Sequence, residues 1–234
     1  MNDKTLTTLT SREADRAVID AFLAKHRGIE ARQAPPGRLI FAMDATMSRQ
    51  PTWDLAIGLQ SEMFRVVKDI GGLDVQLVYF RGMDETRASK WTQDPNKLAR
   101  MMSKVTCQGG YTQIRKVLRH IRQEAKQRRV HAVVYIGDCM EEKVDELCAY
   151  AADLGARRVP IFMFQEGQDT TAESAFKEIA RLSRGAYCSF DEGSAKQLRS
   201  LLTAVAAFAT GGRKALQATK SREAVLMLEQ LTAK

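Results

Sequence analysis

The chain has 234 residues, enough for one sizeable core, and its 44% hydrophobic and 27% charged content excludes a disordered chain. Its 36 Lys and Arg against 28 Asp and Glu leave a charge of +8, a surplus that favours acidic partners without specifying a fold. No stretch approaches the roughly 20 apolar residues of a membrane-spanning helix, and the opening residues carry no apolar signal region. Cys107, Cys139, Cys148 and Cys188 form no C-x-x-C pair, so neither a disulfide framework nor a zinc ribbon is indicated. A reduced, cytoplasmic protein is expected.

The first predicted element is a helix. Thr10 and Glu13 fit a capping box, Val18 and Phe22 lie on an apolar stripe, and Gly28 suits its end. Pro35-Pro36-Gly37 then breaks the chain. Residues 1–36 are therefore read as a helical extension and linker. Beyond them, the short apolar runs Leu39–Met43, Val75–Phe80, Ala132–Ile136 and Pro160–Phe164 suit buried strands. A further strand is expected at Ala186–Phe190 and an edge strand at Ser89–Thr92. Helical spacing predicts helices over Asp54–Ile70, Lys97–Val105, Thr112–Gln127, Lys143–Leu154, Ala172–Ser183 and Ser194–Phe208. Strands alternating with helices imply right-handed crossovers. The fold class is α/β, a doubly wound, mostly parallel, Rossmann-like sheet with helices on both faces, spanning residues 37–212. Residues 213–234 read as a basic linker and a terminal helical tail carrying Val225, Leu226, Leu228 and Leu231.

In such a sheet ligands bind beyond the carboxyl ends of the strands, so those ends hold the informative residues. After the first strand comes Asp44-Ala45-Thr46-Met47-Ser48, and after the Ala132–Ile136 run comes Gly137-Asp138. Gly109-Gly110-Tyr111-Thr112 precedes the basic helix. Three loops thus deliver Asp44, Thr46, Ser48, Thr112 and Asp138, an oxygen-only set of the kind that hard divalent cations prefer. The same residues also admit a purely structural role. Asp44 and Thr46 would satisfy turn amides, while Thr112 and Asp138 would each cap a helix.

The ordered set D-x-T-x-S, a distant Thr and a strand-end Asp resembles the von Willebrand factor A family and its metal-ion-dependent adhesion site. Thr46 stands where that family usually has Ser, and Gly137-Asp138-Cys139 departs from the commoner S/T-D-G. The resemblance implies Mg²⁺, or Mn²⁺ or Ca²⁺, touched by Thr46, Ser48 and Thr112 with Asp44 and Asp138 acting partly through water. It implies a non-enzymatic interaction module that binds an Asp or Glu of a partner protein through the metal.

Other chemistries fit less well. Glu141 and Glu142 read as complements to the dipole of the helix they precede. His26, His120 and His131 are isolated and read as satisfied residues. A thiol at Cys139, next to Asp138, is expected to resist ionisation. The basic helix carries Arg115, Arg119 and Arg122 as candidate partner-binding residues, and a nucleic-acid-associated protein using residues 112–127 is the alternative. No aromatic residues interleave there to stack bases. A metal-dependent phosphoesterase is weaker still: Thr46 occupies the place where a general acid would stand. The sequence is silent on oligomeric state.

Overall fold

Period-two alternation decides how the sheet is buried. The structure, a computed structural model, describes residues 36–50, 73–190 and 195–232. In β1 (Gly37–Asp44), Leu39, Phe41 and Met43 enter one core while Ile40 and Ala42 enter the other, all fully buried. Two-sided burial explains the continuous apolar runs that mark the parallel strands in the sequence.

The elements that follow are β2 (Leu73–Arg81), β3 (Glu85–Ala88), α1 (Pro95–Met102), α2 (Ile114–Gln127), β4 (Ala132–Gly137) and α3 (Val144–Ala156). Then come β5 (Ile161–Glu166), α4 (Thr170–Leu182), β6 (Tyr187–Phe190), α5 (Ala195–Ala218) and α6 (Arg222–Thr232). The sheet order is β3-β2-β1-β4-β5-β6, with β3 antiparallel and the other neighbours parallel. On one face α2, α3 and α4 bury Ile114, Val117, Ile121, Leu147, Phe176 and Ile179. On the other, α1, α5 and α6 bury Leu98, Leu202, Val205, Leu216 and Met227. This is the expected doubly wound architecture. The predicted helices at 10–28 and Asp54–Ile70 lie outside the described residues.

Three local expectations are corrected. The regular edge strand is Glu85–Ala88, not Ser89–Thr92, whose ends meet β2 through Ser89 N–H to Leu77 O at 2.8 Å and Thr92 N–H to Val75 O at 3.0 Å. Its residues are polar and partly exposed, so no apolar rhythm announces it. The helix after residue 194 continues a little past Phe208 and breaks at the glycine pair, as expected. Gly212, whose φ of 64° and ψ of −154° only a residue without Cβ adopts readily, separates it from a second helical segment that reaches Ala218. Residues 213–218 are consequently helical rather than a linker, and Leu216 is fully buried. On α6, finally, Ala224, Met227 and Leu231 face inward while Val225 and Leu226 are exposed.

The β6 edge is finished by side chains. Gln230 accepts the Tyr187 N–H through Oε1 and donates Nε2–H to the Tyr187 carbonyl, both at 2.8 Å, as a neighbouring strand would. Gln197 on α5 donates to the Ser189 carbonyl at 3.2 Å.

Candidate metal centre

The chain visits β2 and β3 on one side of β1 and then returns to β4 on the other, so the strand order reverses between β1 and β4. These two strands are hydrogen-bonded neighbours through Met43 and Ile136. Asp44 ends β1, and Asp138 follows the last residue of β4. Adjacent strands run roughly 4.8 Å apart, and that spacing alone brings the two carboxylates together. Oxygen atoms of Asp44 and Asp138 and the sulfur of Cys139 lie within 4.8 Å of one another.

Asp44 is wholly buried. Its Oδ1 accepts the Thr46 N–H at 2.7 Å, which fixes the carboxylate plane, while Oδ2 is buried with no hydrogen-bond partner among the described residues. Burial pushes its pKa up to about 6, with Asp138 adding to the rise and Thr46 and Arg49 opposing it. Asp138 is half-buried, and its Oδ1 is likewise enclosed without a partner. Burial also pushes the Cys139 thiol up to about 12, with Asp138 the next contributor.

The hydroxyls arrive on loops that are tied to one another. Thr46 Oγ1 lies 3.1 Å from Ser48 Oγ, on the single turn of 3-10 helix at Met47–Arg49. Gln108 N–H donates to Ala45 O at 3.0 Å, pinning the second loop beside the first. Gly110 passes so close to Gly82 that an added Cβ would sit 1.9 Å from the Gly82 carbonyl oxygen. Thr112 N–H donates to Glu141 Oε2 at 2.9 Å, and the Glu141 N–H donates back to Thr112 Oγ1 at 3.2 Å. The resulting cleft of about 230 Å³ is lined by Thr46, Ser48, Thr112, Cys139 and Glu141 among others.

This geometry separates the two readings of the sequence. Thr112 does not cap α2. The Glu142 carboxylate does, accepting the amides of Ile114 and, at 3.0 Å, Arg115. Glu141 and Glu142 therefore serve the start of α2 rather than the helix they precede, a correction that local sequence cannot supply. Nor does Asp138 cap α3, whose N-cap position is Lys143. The Asp44 to Thr46 amide bond, and the Glu141 amide that Thr112 Oγ1 accepts, belong to the structural alternative. Among the described residues, two buried carboxylate oxygens lack donors, and three hydroxyls line the cleft that Cys139 shares, oxygen groups of the kind that suit a divalent cation.

Arg49 gave no signal beyond being a cation after Ser48. Its side chain, 1% exposed, turns inward to pair with Glu166 at 2.8 Å and donates to the Asp44 carbonyl at 3.2 Å. Of the candidate partner-binding residues, Arg115 is exposed and 3.4 Å from Glu146, and Arg119 is exposed. Arg122 is half-buried with its guanidinium 5.0 Å from the Tyr150 ring. His120 meets Gln76 Oε1 at 2.9 Å, and His131 Nδ1 accepts the Arg38 N–H at 2.9 Å, so both are satisfied.

No family model matches the sequence, and no curated protein matches it. Solved structures do. The SpRpn10 VWA domain superposes with a TM-score of 0.58 at 13% identity, over 73% of this chain and 95% of that domain. The chain has the von Willebrand factor A fold. A von Willebrand factor type A protein from Catenulispora acidiphila gives a TM-score of 0.61 at 13% identity, covering 76% of this chain and 43% of that one. Proximal thread matrix protein 1 from the mussel byssus, with a zinc-occupied MIDAS motif, gives 0.57 at 17% identity, covering 73% and 45%. This chain thus spans less than half the length of the last two. In this von Willebrand factor A fold the carboxylate pair stands at the strand-order reversal, and among the described residues no helix is long and apolar enough to cross a membrane.

Proposed function

We propose that the chain is a protein-interaction module that holds a divalent cation in the cleft and binds an Asp or Glu of a partner protein there. The observation that carries this reading is that Asp44 and Asp138 bring carboxylate oxygens within 4.8 Å of one another, while each carboxylate has one buried oxygen, Oδ2 and Oδ1 respectively, without a hydrogen-bond partner among the described residues. Buried anions left so are costly, and a cation offsets that cost. When bound, the metal supplies an electrophilic position for an incoming carboxylate.

The surrounding residues prepare the site. Thr46 N–H holds Asp44 through Oδ1 and leaves Oδ2 for another partner, and Glu141 holds Thr112 at the cleft wall. Met47 and Tyr111, 53% and 58% exposed, flank the cleft, and Met83, 69% exposed, follows the Gly82 that Gly110 touches. Exposed Met and aromatic side chains are enriched in interface cores, so this rim suits a protein surface. The basic helix supports a nucleic-acid partner less well. Lys116 pairs with Asp84, Arg115 with Glu146 and Arg128 with Asp74, which removes charge from any phosphate-facing stripe.

The test is affinity capture from cell extract with divalent cation and with EDTA, comparing the native chain with Asp44→Ala and Asp138→Ala. A partner retained only with metal, lost on both substitutions and competed by free acidic peptide is the expected result. Identical partners with EDTA and with metal would overturn the proposal.

A further inference from the structure

We infer that the metal centre selects zinc over magnesium, because the Cys139 thiolate joins Asp44 and Asp138 as a third anionic ligand. This rests on the metal-binding reading above and goes beyond it, by naming the class of cation and a ligand that an oxygen-only reading omits.

Three observations converge on it. The first is placement. The Cys139 sulfur and the carboxylate oxygens of Asp44 and Asp138 form a triangle with no side beyond 4.8 Å, on the ends of adjacent strands. The second is unmet demand on the two carboxylates of that triangle, judged among the described residues. Asp44 is fully buried, yet its Oδ2 has no donor, and neither has Asp138 Oδ1. A cation satisfies both at once. The third is that Cys139 is not core filler: it belongs to neither hydrophobic cluster, whereas Cys107 does. It lines the cleft instead, beside Thr46, Ser48 and Thr112, where a cation entering from solvent reaches it.

The chemistry of the donors then ranks the cations. Magnesium takes oxygen ligands and keeps its waters, so a sulfur neighbour gives it nothing. Zinc accepts thiolate and carboxylate together, and three protein ligands leave it one open position, the arrangement of zinc sites that engage an outside group. On binding, the Cys139 S–H bond breaks, the sulfur–zinc bond forms, and the proton passes to solvent. The two carboxylates and the thiolate sum to −3 against +2. The loaded site thus carries a net charge of −1, so a partner's carboxylate takes the open position against that repulsion, which its bond to zinc must outweigh.

The experiment uses the full chain, stripped of metal with chelator and dialysed, as wild type, Cys139→Ser, Cys139→Ala and Asp44→Ala. Cobalt(II), a spectroscopic surrogate for zinc, should give a near-ultraviolet sulfur-to-metal charge-transfer band with wild type and none with either Cys139 variant. Competition against a chromophoric chelator should show zinc affinity falling at least about tenfold in Cys139→Ser, a loss on the scale seen even for groups that only support a ligand. Magnesium affinity, measured by calorimetry, should stay within about twofold, since Ser keeps an oxygen donor there. The charge-transfer band is read on wild type, so a variant that misfolds does not disable the test. Cobalt bound without the band, or zinc held equally by wild type and Cys139→Ser, overturns the zinc assignment; if magnesium still binds and Asp44→Ala abolishes it, the interaction proposal stands. If no divalent cation binds wild type, both fall.

Discussion

Asp44→Asn should stabilise the metal-free protein at neutral pH and destroy its response to metal. Asp44 has an ordinary pKa of 3.8, raised to about 6 by burial, so the fold favours its protonated form. Whatever stability this group contributes is present below pH 3.8 and is lost as pH rises through about 6. A shift of about 2 units at roughly 1.36 kcal/mol each makes ionised Asp44 a burden of about 3 kcal/mol above that pH. Asn carries no charge to desolvate, keeps an oxygen for the Thr46 N–H, and removes the like charge beside Asp138. At roughly 2–4 °C per kcal/mol for a domain of this size, the variant should melt about 6–12 °C above wild type in EDTA at pH 7.5. The gap should close towards pH 4. Divalent cation should then raise the melting temperature of wild type only, reversing or narrowing the order. Thermal unfolding followed by circular dichroism at several pH values, with EDTA and with metal, measures all of this. A gap that does not change with pH, or an Asn variant melting below wild type in EDTA at pH 7.5, would refute the argument that burial of an uncompensated carboxylate dominates this site.

The buried pair of Arg49 and Glu166 beneath the site yields a second expectation. Arg49→Met should cost about 3–5 kcal/mol in urea denaturation by stranding Glu166, whereas adding Glu166→Leu should recover much of the loss; a double variant as unstable as the single would show that the pair is not the cause. Gly110→Ala places a Cβ 1.9 Å from the Gly82 carbonyl oxygen, so the loop must move and take Thr112 from Glu141. That variant should lose at least about 1–3 kcal/mol and bind metal more weakly in calorimetry, and unchanged stability would contradict the close approach.

The parallel strands were legible because burial on both faces leaves continuous apolar runs such as Leu39–Met43 and Ala132–Ile136. The site was legible where it depends on strand ends, since topology alone brings Asp44 and Asp138 to the point of strand-order reversal. What escaped depends on contacts between segments distant in sequence. Glu142 caps α2 from the loop after β4, 28 residues along the chain from Ile114, and no local pattern distinguishes that from serving its own helix. Arg49 pairs with Glu166 across 117 residues, a contact that no local pattern announces. The edge strand Glu85–Ala88 is too short and polar to show alternation. Gly211-Gly212 does end a helix, but the short segment beyond it is helical too, because burying Leu216 holds it against the core, and its basic composition hides that.

Gln230 has a consequence beyond finishing the sheet. By offering one acceptor and one donor to Tyr187, its amide occupies the contacts through which a foreign strand would zip onto β6. At the opposite margin β3 is four residues long and carries Glu85 and Arg87, a poor template for recruitment. With both flanks of the sheet guarded in these ways, lateral fibre-like growth is disfavoured, and association is channelled to the loops that crown the strand ends.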